Sequence, residues 1–253
     1  MRPFIAAAIT AGLALTLTAC NGSKPSASNS PSSTPSSTPA TTPTPSTPPS
    51  SSTPVVTPSP APKVRTKAEL TKALLALADL PPGLAIDPDN SDDGSRLSWS
   101  NSRCKTLVTL FNAQTPPGAK ASVTRLFSGG QQGPFVEEDL AAMASPAEVT
   151  KLLATTKAAI RACHQVKLTI PGEGTSPMQV AEVSAPAAGT TPVAVRFSAT
   201  SGPLEGLEVT FAVTGLDDVV LAVNVDDPSG LEGATTAAAE KAQKVLGTAK
   251  AGA

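Results

Sequence analysis

Four runs in the C-terminal half of the chain alternate apolar and other residues with period two. They are Val166, Leu168, Ile170; Val193, Val195, Phe197, Ala199; Leu207, Val209, Phe211, Val213; and Val219, Leu221, Val223, Val225. Successive side chains of a strand point to opposite faces, so each run predicts a strand with one apolar face. The turns Pro171-Gly172-Glu173-Gly174, Ser201-Gly202-Pro203 and Gly215-Leu216-Asp217 are short enough to make neighbours antiparallel. Met178 to Val183 adds a further strand, and the stretches Ser122 to Phe127 and Phe135 to Met143 form a hairpin around a Gly-rich connection.

Such a sheet needs cover, and the sequence supplies it as helices. Thr66-Lys67-Ala68-Glu69 has the pattern of a capping box, followed by Leu70, Ala73, Leu74 and Leu77 on one face and stopped by Pro81-Pro82-Gly83. Cys104, Leu107, Val108 and Phe111 make a second stripe after Ser102. Ser145-Pro146-Ala147-Glu148 opens a third helix with Pro at its first position, and its stripe runs Val149, Leu152, Leu153, Ile160, Cys163. A last helix starts near Asp227-Pro228 and runs to about Ala249, with a small-residue face of Ala238, Ala242, Val245 and Ala249. The expected fold is α+β, a mostly antiparallel curved sheet with helices packed on its apolar face, spanning residues 63–253.

The first 62 residues read differently. They contain no acid, two basic residues and, of aromatics, only Phe4. Arg2 followed by the apolar stretch Phe4 to Leu15 predicts a signal peptide over residues 1–19, too short to span a bilayer, which takes roughly 20 residues. Leu17-Thr18-Ala19-Cys20 resembles the bacterial lipobox, and that resemblance implies a diacylglyceryl thioether on Cys20, the mature N-terminus. A chance cysteine after an ordinary secretory signal is the alternative. In residues 21–62, 33 of 42 are Ser, Thr or Pro, too polar for a core, so 20–62 is expected to be a lipidated N-terminus and disordered linker. Its reach lies between about 35 Å as a coil and about 130 Å as a polyproline rod. Such stalks are O-glycosylated outside the cell in some proteins and plain spacers in others.

Composition narrows function by exclusion. From Lys63 onward 17 of the 19 basic residues face all 20 acids, which is no electrostatic footprint for nucleic acid. With no Tyr and one Trp, stacking platforms for sugars or bases are scarce. No cofactor is expected, because Gly172-Glu173-Gly174 is followed by no helix and fits a turn, not a dinucleotide fingerprint. The acidic run Asp87 to Gly94 fails the EF-hand register, which would place Gly and Glu where Asp92 and Ser98 stand. No metal site is predicted; a solvated turn is the plainer reading.

Export would leave Cys104 and Cys163 to pair in a disulfide-permissive compartment; two free buried thiols or a redox switch are the rival readings. His164 is the one histidine, and adjacent residues of an extended chain point apart, so Cys163 and His164 make no nucleophile pair. With no nucleophile elbow either, no catalytic residue and no enzyme is expected. The polar face of the meander carries Lys167, Thr169, Arg196, Ser198, Thr200, Glu208, Thr210 and Asn224. It either faces water, as such faces commonly do, or lines a concavity in which Arg196 forks onto a carboxylate or phosphate. Lys167, Arg196, Glu208 and Trp99 are the candidate ligand residues, Trp99 being a core filler in the plainer reading.

The region from about Glu69 to Leu246 resembles the PknH-like extracellular sensor domain of actinobacterial receptor kinases and stand-alone lipoproteins. The residues concerned are Leu74-Leu75 leading to Asp79-Leu80-Pro81-Pro82-Gly83, Cys104 with Leu107, the helix from Ala147 closing on Ala162-Cys163, and the meander after it. The resemblance implies an α+β domain whose sheet forms a cleft, disulfide staples and an extracellular ligand. The sequence lacks cysteines for the additional disulfide of some members. No kinase domain or membrane-spanning helix is read in it, so any signal is expected to pass to a membrane protein partner. Function is expected to be non-catalytic: a cell-membrane lipoprotein on the extracytoplasmic face, binding a small ligand or cell-envelope component. The alternative is an accessory protein docking a partner through its polar sheet face.

Overall fold

The computed structural model describes residues 64–88, 93–130 and 133–248. Cys20 and the expected signal peptide and linker therefore lie outside the described residues, as do Asp89 to Asp92 of the acidic run and Ala249 of the last stripe. Among the described residues nine strands form one open sheet: β1 (Ala85–Asp87), β2 (Arg96–Ser98), β3 (Ala121–Ser128), β4 (Phe135–Ala142), β5 (Gln165–Ile170), β6 (Gly174–Val183), β7 (Thr190–Ala199), β8 (Glu208–Leu216) and β9 (Val219–Val225). Their order is β1-β3-β4-β9-β8-β7-β6-β5-β2, every pair antiparallel. Four α-helices accompany it: α1 (Lys67–Ala73), α2 (Lys105–Phe111), α3 (Pro146–Ala162) and α4 (Leu231–Leu246).

The sheet is curved, and chain length shows why. β1 and β2 lie at opposite edges, yet only nine residue steps join Asp87 to Arg96. Fully extended, those steps reach about 30 Å, whereas eight strand spacings on a flat sheet cover about 38 Å. The edges must therefore curl toward one another. Asp93 and Ser95, on the connection between them, line the same cleft as Thr124, Glu137 and Asp139, so that face is the concave one.

Helices pack on both faces. On the convex side α1 and α4 bury Leu70, Ala73, Leu231, Ala238 and Ala242 against Phe127, Leu140, Leu221 and Val223. On the concave side α2 and α3 bury Leu107, Val108, Ala159 and Ile160 against Val166, Val180, Val195 and Phe197. The two covers are staggered: the convex pair lies over β3, β4, β9 and β8, whereas the concave pair lies mainly over the half nearer β2, with the start of α3 reaching Ala141 of β4 and Val220 of β9.

The α+β fold with an antiparallel sheet is as expected, and its helices cover apolar stripes on both faces instead of one. The stripes of β5, β7 and β8 face the concave side, but Val219, Leu221, Val223 and Val225 of β9 face α1 and α4. The switch is made at the hairpin, where Leu216 opposes Val219 across a turn of Asp217 and Asp218, Asp217 at a φ of 60°. Gly215 and Leu216, read as turn residues, belong to β8.

Thr66 caps α1 with the reciprocal Glu69 bond of a true capping box. α1 nonetheless ends at Ala73, before the prolines, because the Leu75 N–H bonds the Glu138 carboxylate instead of continuing the ladder. Leu77 is consequently 44% exposed instead of on the buried stripe. The Ser145 hydroxyl caps α3 as expected, whereas Glu148 reaches back to the Ala144 N–H. On α4, Val245 is exposed, and the buried stripe is Leu231, Ala234, Thr235, Ala238, Ala239 and Ala242. The helix stops at Gly247, which is left-handed. Cys104 and Cys163 form a disulfide joining the start of α2 to the end of α3.

Candidate functional site

Curvature and staggered cover leave most of the concave surface of β3, β4 and β9 open, the start of α3 covering only its Ala141 and Val220 end. Register defines its chemistry row by row. Leu126, Glu137, Asn224, Phe211 and Val195 follow one another across β3, β4, β9, β8 and β7, and beside them run Thr124, Asp139, Ala222, Val213 and Val193. Directly opposed residues share a face, so each row changes from carboxylate to aromatic or aliphatic over about 10 Å.

A cleft of about 840 Å³ stands over these rows. Phe111, the last residue of α2, closes one side by stacking edge-on against Phe197 and Phe211 at centroid distances of 5.1 and 5.0 Å. Asn112, next in sequence, ties this helix end to the sheet edge: its side chain donates to the Leu97 carbonyl and accepts from the Leu97 N–H, each at 2.8 Å. That clamp holds the following segment, Ala113 to Pro117, as a rim. Leu152 and Thr156 of α3 form the far wall.

The polar wall is acidic. Thr124 Oγ1 donates to Asp139 Oδ1, and the Asn224 side chain bonds Glu137. Burial pushes the Glu137 carboxyl up to about 7, with Asp139 and Asp93 adding in the same sense and the Asn224 bond opposing. Burial raises Asp139 too, against the pull of the Thr124 bond. Two carboxyls on alternate residues of one strand resist sharing two charges in a partly closed site. No group of three or more potential metal-ligating side chains is present among the described residues.

Lys167, Arg196 and Glu208 lie elsewhere, on the convex face of β5, β7 and β8, with Arg196 Nε 3.7 Å from Glu208 Oε1. Ser198 donates to that carboxylate at 2.8 Å. Lys167 opposes Ser98 of β2, and Trp99, one residue further on, is 43% exposed instead of filling the core. Thr210 is buried on the same convex face, whereas Asn224 is on the concave one. The polar set read from the meander is thus divided between two faces. His164 is exposed, and its carbonyl accepts from the Val180 N–H.

Glu137, Asp139 and Thr124 were not singled out from sequence. The signal available was Glu137-Glu138-Asp139 within a hairpin strand, where carboxylates on both faces are costly unless one face is open to a cleft.

No protein-family model matches the chain, and no curated protein matches it. Among solved structures, the extracellular domain of PknH from Mycobacterium tuberculosis aligns with a TM-score of 0.49 at 18% identity, over 73% of this chain and 98% of that one. The Rv0999 ortholog of Mycobacterium smegmatis, an uncharacterised protein, aligns with a TM-score of 0.41 at 13% identity, over 70% and 97%. At these values the likeness carries no information on ligand or partner.

Proposed function

We propose that this chain is an extracytoplasmic lipoprotein, held to the cell membrane by a lipid on Cys20, whose domain is a non-catalytic binding or sensor module for a small ligand or cell-envelope component. The cleft carries this reading: about 840 Å³ is the size of a small-molecule site, and its lining is divided evenly between apolar residues and polar or charged ones, twelve of each. Leu17-Thr18-Ala19-Cys20 and the Ser/Thr/Pro tract supply the anchor and the spacer.

The test is intact mass of the full chain, purified from a membrane of the same envelope type, under native and denaturing conditions. Excess mass released intact on denaturation supports a bound ligand, whereas a bare lipidated polypeptide overturns tight small-ligand binding. Cys20→Ala releasing the protein from the membrane fraction, with loss of the acyl mass, tests the anchor. A second reading rests on the convex half-sheet, where Lys167, Thr169 and Gln179 are exposed. There Lys167, Arg196 and Glu208, with Trp99 at the edge, would dock a membrane protein partner. Cross-linking from the position of Lys167 to one membrane protein, lost on charge reversal of that face, distinguishes it.

A further inference from the structure

We propose that the concave cleft takes an organic cation, an amine whose apolar body lies against Phe111 and Phe211 and whose ammonium group meets Glu137 and Asp139. The proposal rests on reading the cleft as the binding site and assigns the chemical class of its occupant.

The cavity's two walls differ in kind and are joined by register. Glu137 and Phe211 stand in one lateral row with only Asn224 between them, so an amphipathic molecule about 10 Å long touches both. At the apolar end, Val213 and Leu152 line the cavity beside the Phe111 and Phe211 rings.

At the polar end the capacity left over is for accepting hydrogen bonds. Thr124 spends its hydroxyl proton on Asp139 Oδ1, and the Asn224 side chain is engaged with Glu137. Asp139 Oδ2 receives no hydrogen bond among the described residues, although its carboxyl is deep enough for burial to raise its proton affinity. On a half-buried side chain lining the cleft, such an oxygen is a ready acceptor for an ammonium N–H.

Charge points the same way. Asp93 adds a third carboxylate to the lining, while Arg96 is its one basic side chain among the described residues and turns Nη1 to the Ser95 carbonyl. A carboxylate or phosphate ligand would meet three acids for that single arginine, and a neutral molecule would leave the acid pair uncompensated.

The experiment is calorimetric titration of the purified full chain with three probes of matched shape: phenethylamine, phenethyl alcohol and hydrocinnamate. The amine is expected to bind at least about tenfold more tightly than the alcohol, the difference one compensated charge supplies in a partly desolvated site. Hydrocinnamate is expected to be the weakest. Glu137→Gln with Asp139→Asn should bring the amine down to the level of the alcohol while far-ultraviolet circular dichroism stays unchanged. Asp139→Asn alone serves if the double variant does not fold. Equal or tighter binding of the alcohol or hydrocinnamate, unchanged amine affinity in the variants, or no binding of any probe overturns the cationic assignment. If hydrocinnamate binds best and Phe111→Ala abolishes it, the cleft remains a ligand site and only the charge of its occupant is wrong. A co-purified ligand by intact mass is judged separately, so failure of the cleft reading is told apart from failure of this one.

Discussion

The backbone N–H of Leu75 donates to Glu138 Oε2 at 2.6 Å, while the carbonyl of the same residue accepts from the Arg125 guanidinium. Glu138 and Arg125 oppose one another on β4 and β3, so two neighbouring strands grip both backbone polar groups of one residue just beyond α1. Glu138 is completely buried, and its second oxygen has no partner. Burial raises its carboxyl from 4.5 to about 7, the Leu75 bond and the charges of Arg125 and Lys241 opposing that rise and Asp139 adding to it.

A pH dependence with a definite sign follows. Between about 4.5 and 7 the folded state keeps a proton that the unfolded chain releases, so stability falls as pH rises, by on the order of 3 kcal/mol for Glu138. Glu137, raised for the same reason, adds in the same sense. Urea unfolding is expected to show the domain more stable at about pH 5 than at about pH 8, with Glu138→Gln flattening the slope and gaining about 1–3 kcal/mol at the higher pH. A Glu138→Gln protein less stable than the parent at high pH would mean that Arg125 and Lys241 outweigh desolvation.

The Cys104 to Cys163 bridge spans 59 residues of sequence. Closing a loop of that size stabilises the fold by about 4 kcal/mol through the unfolded chain. Reduction, or Cys104→Ser with Cys163→Ser, should lower the melting temperature by about 8–16 °C in scanning calorimetry.

Gly215 is where α3 approaches the sheet. A Cβ there would come within 2.8 Å of Val149 Cγ1 and 2.7 Å of Thr190 Oγ1. Gly215→Val is therefore expected to cost about 1–3 kcal/mol by overpacking. Because Leu152 and Thr156 of the same helix wall the cleft, ligand affinity should weaken together with stability.

The convex ion pair should behave otherwise. Arg196 and Glu208 are each about two-fifths exposed at 3.7 Å, and exposed pairs contribute about 0–1 kcal/mol. Arg196→Ala should leave the unfolding free energy within about 0.5 kcal/mol of the parent and leave cleft binding unaltered. Loss of ligand affinity in this variant would return the site to the convex face.

The Thr66 cap tests the first helix in isolation from the core. Thr66→Ala removes the bond to the Glu69 N–H at 3.2 Å and should cost about 1 kcal/mol in urea unfolding.

The sequence by itself determined most of the elements, though not the short edge strands β1 and β2. Period-two runs produced β5, β7, β8 and β9, and the cap at Thr66 and the Ser-Pro start at Ser145 placed helix beginnings. These are local properties, set by side-chain spacing and hydrogen bonds within a few residues. Tertiary structure decided which sheet face each stripe occupies, that α1 ends at Ala73, and that Glu137, Asp139, Asn224 and Phe211 share one wall. Alternation says only that a strand has two unlike faces. Which of them turns inward depends on hairpin register, on sheet curvature and on which helix lands where, all fixed by contacts far apart in the chain. Glu138 shows the same division: in sequence it is one acid among three, and only the fold delivers the Leu75 N–H that allows it to be buried.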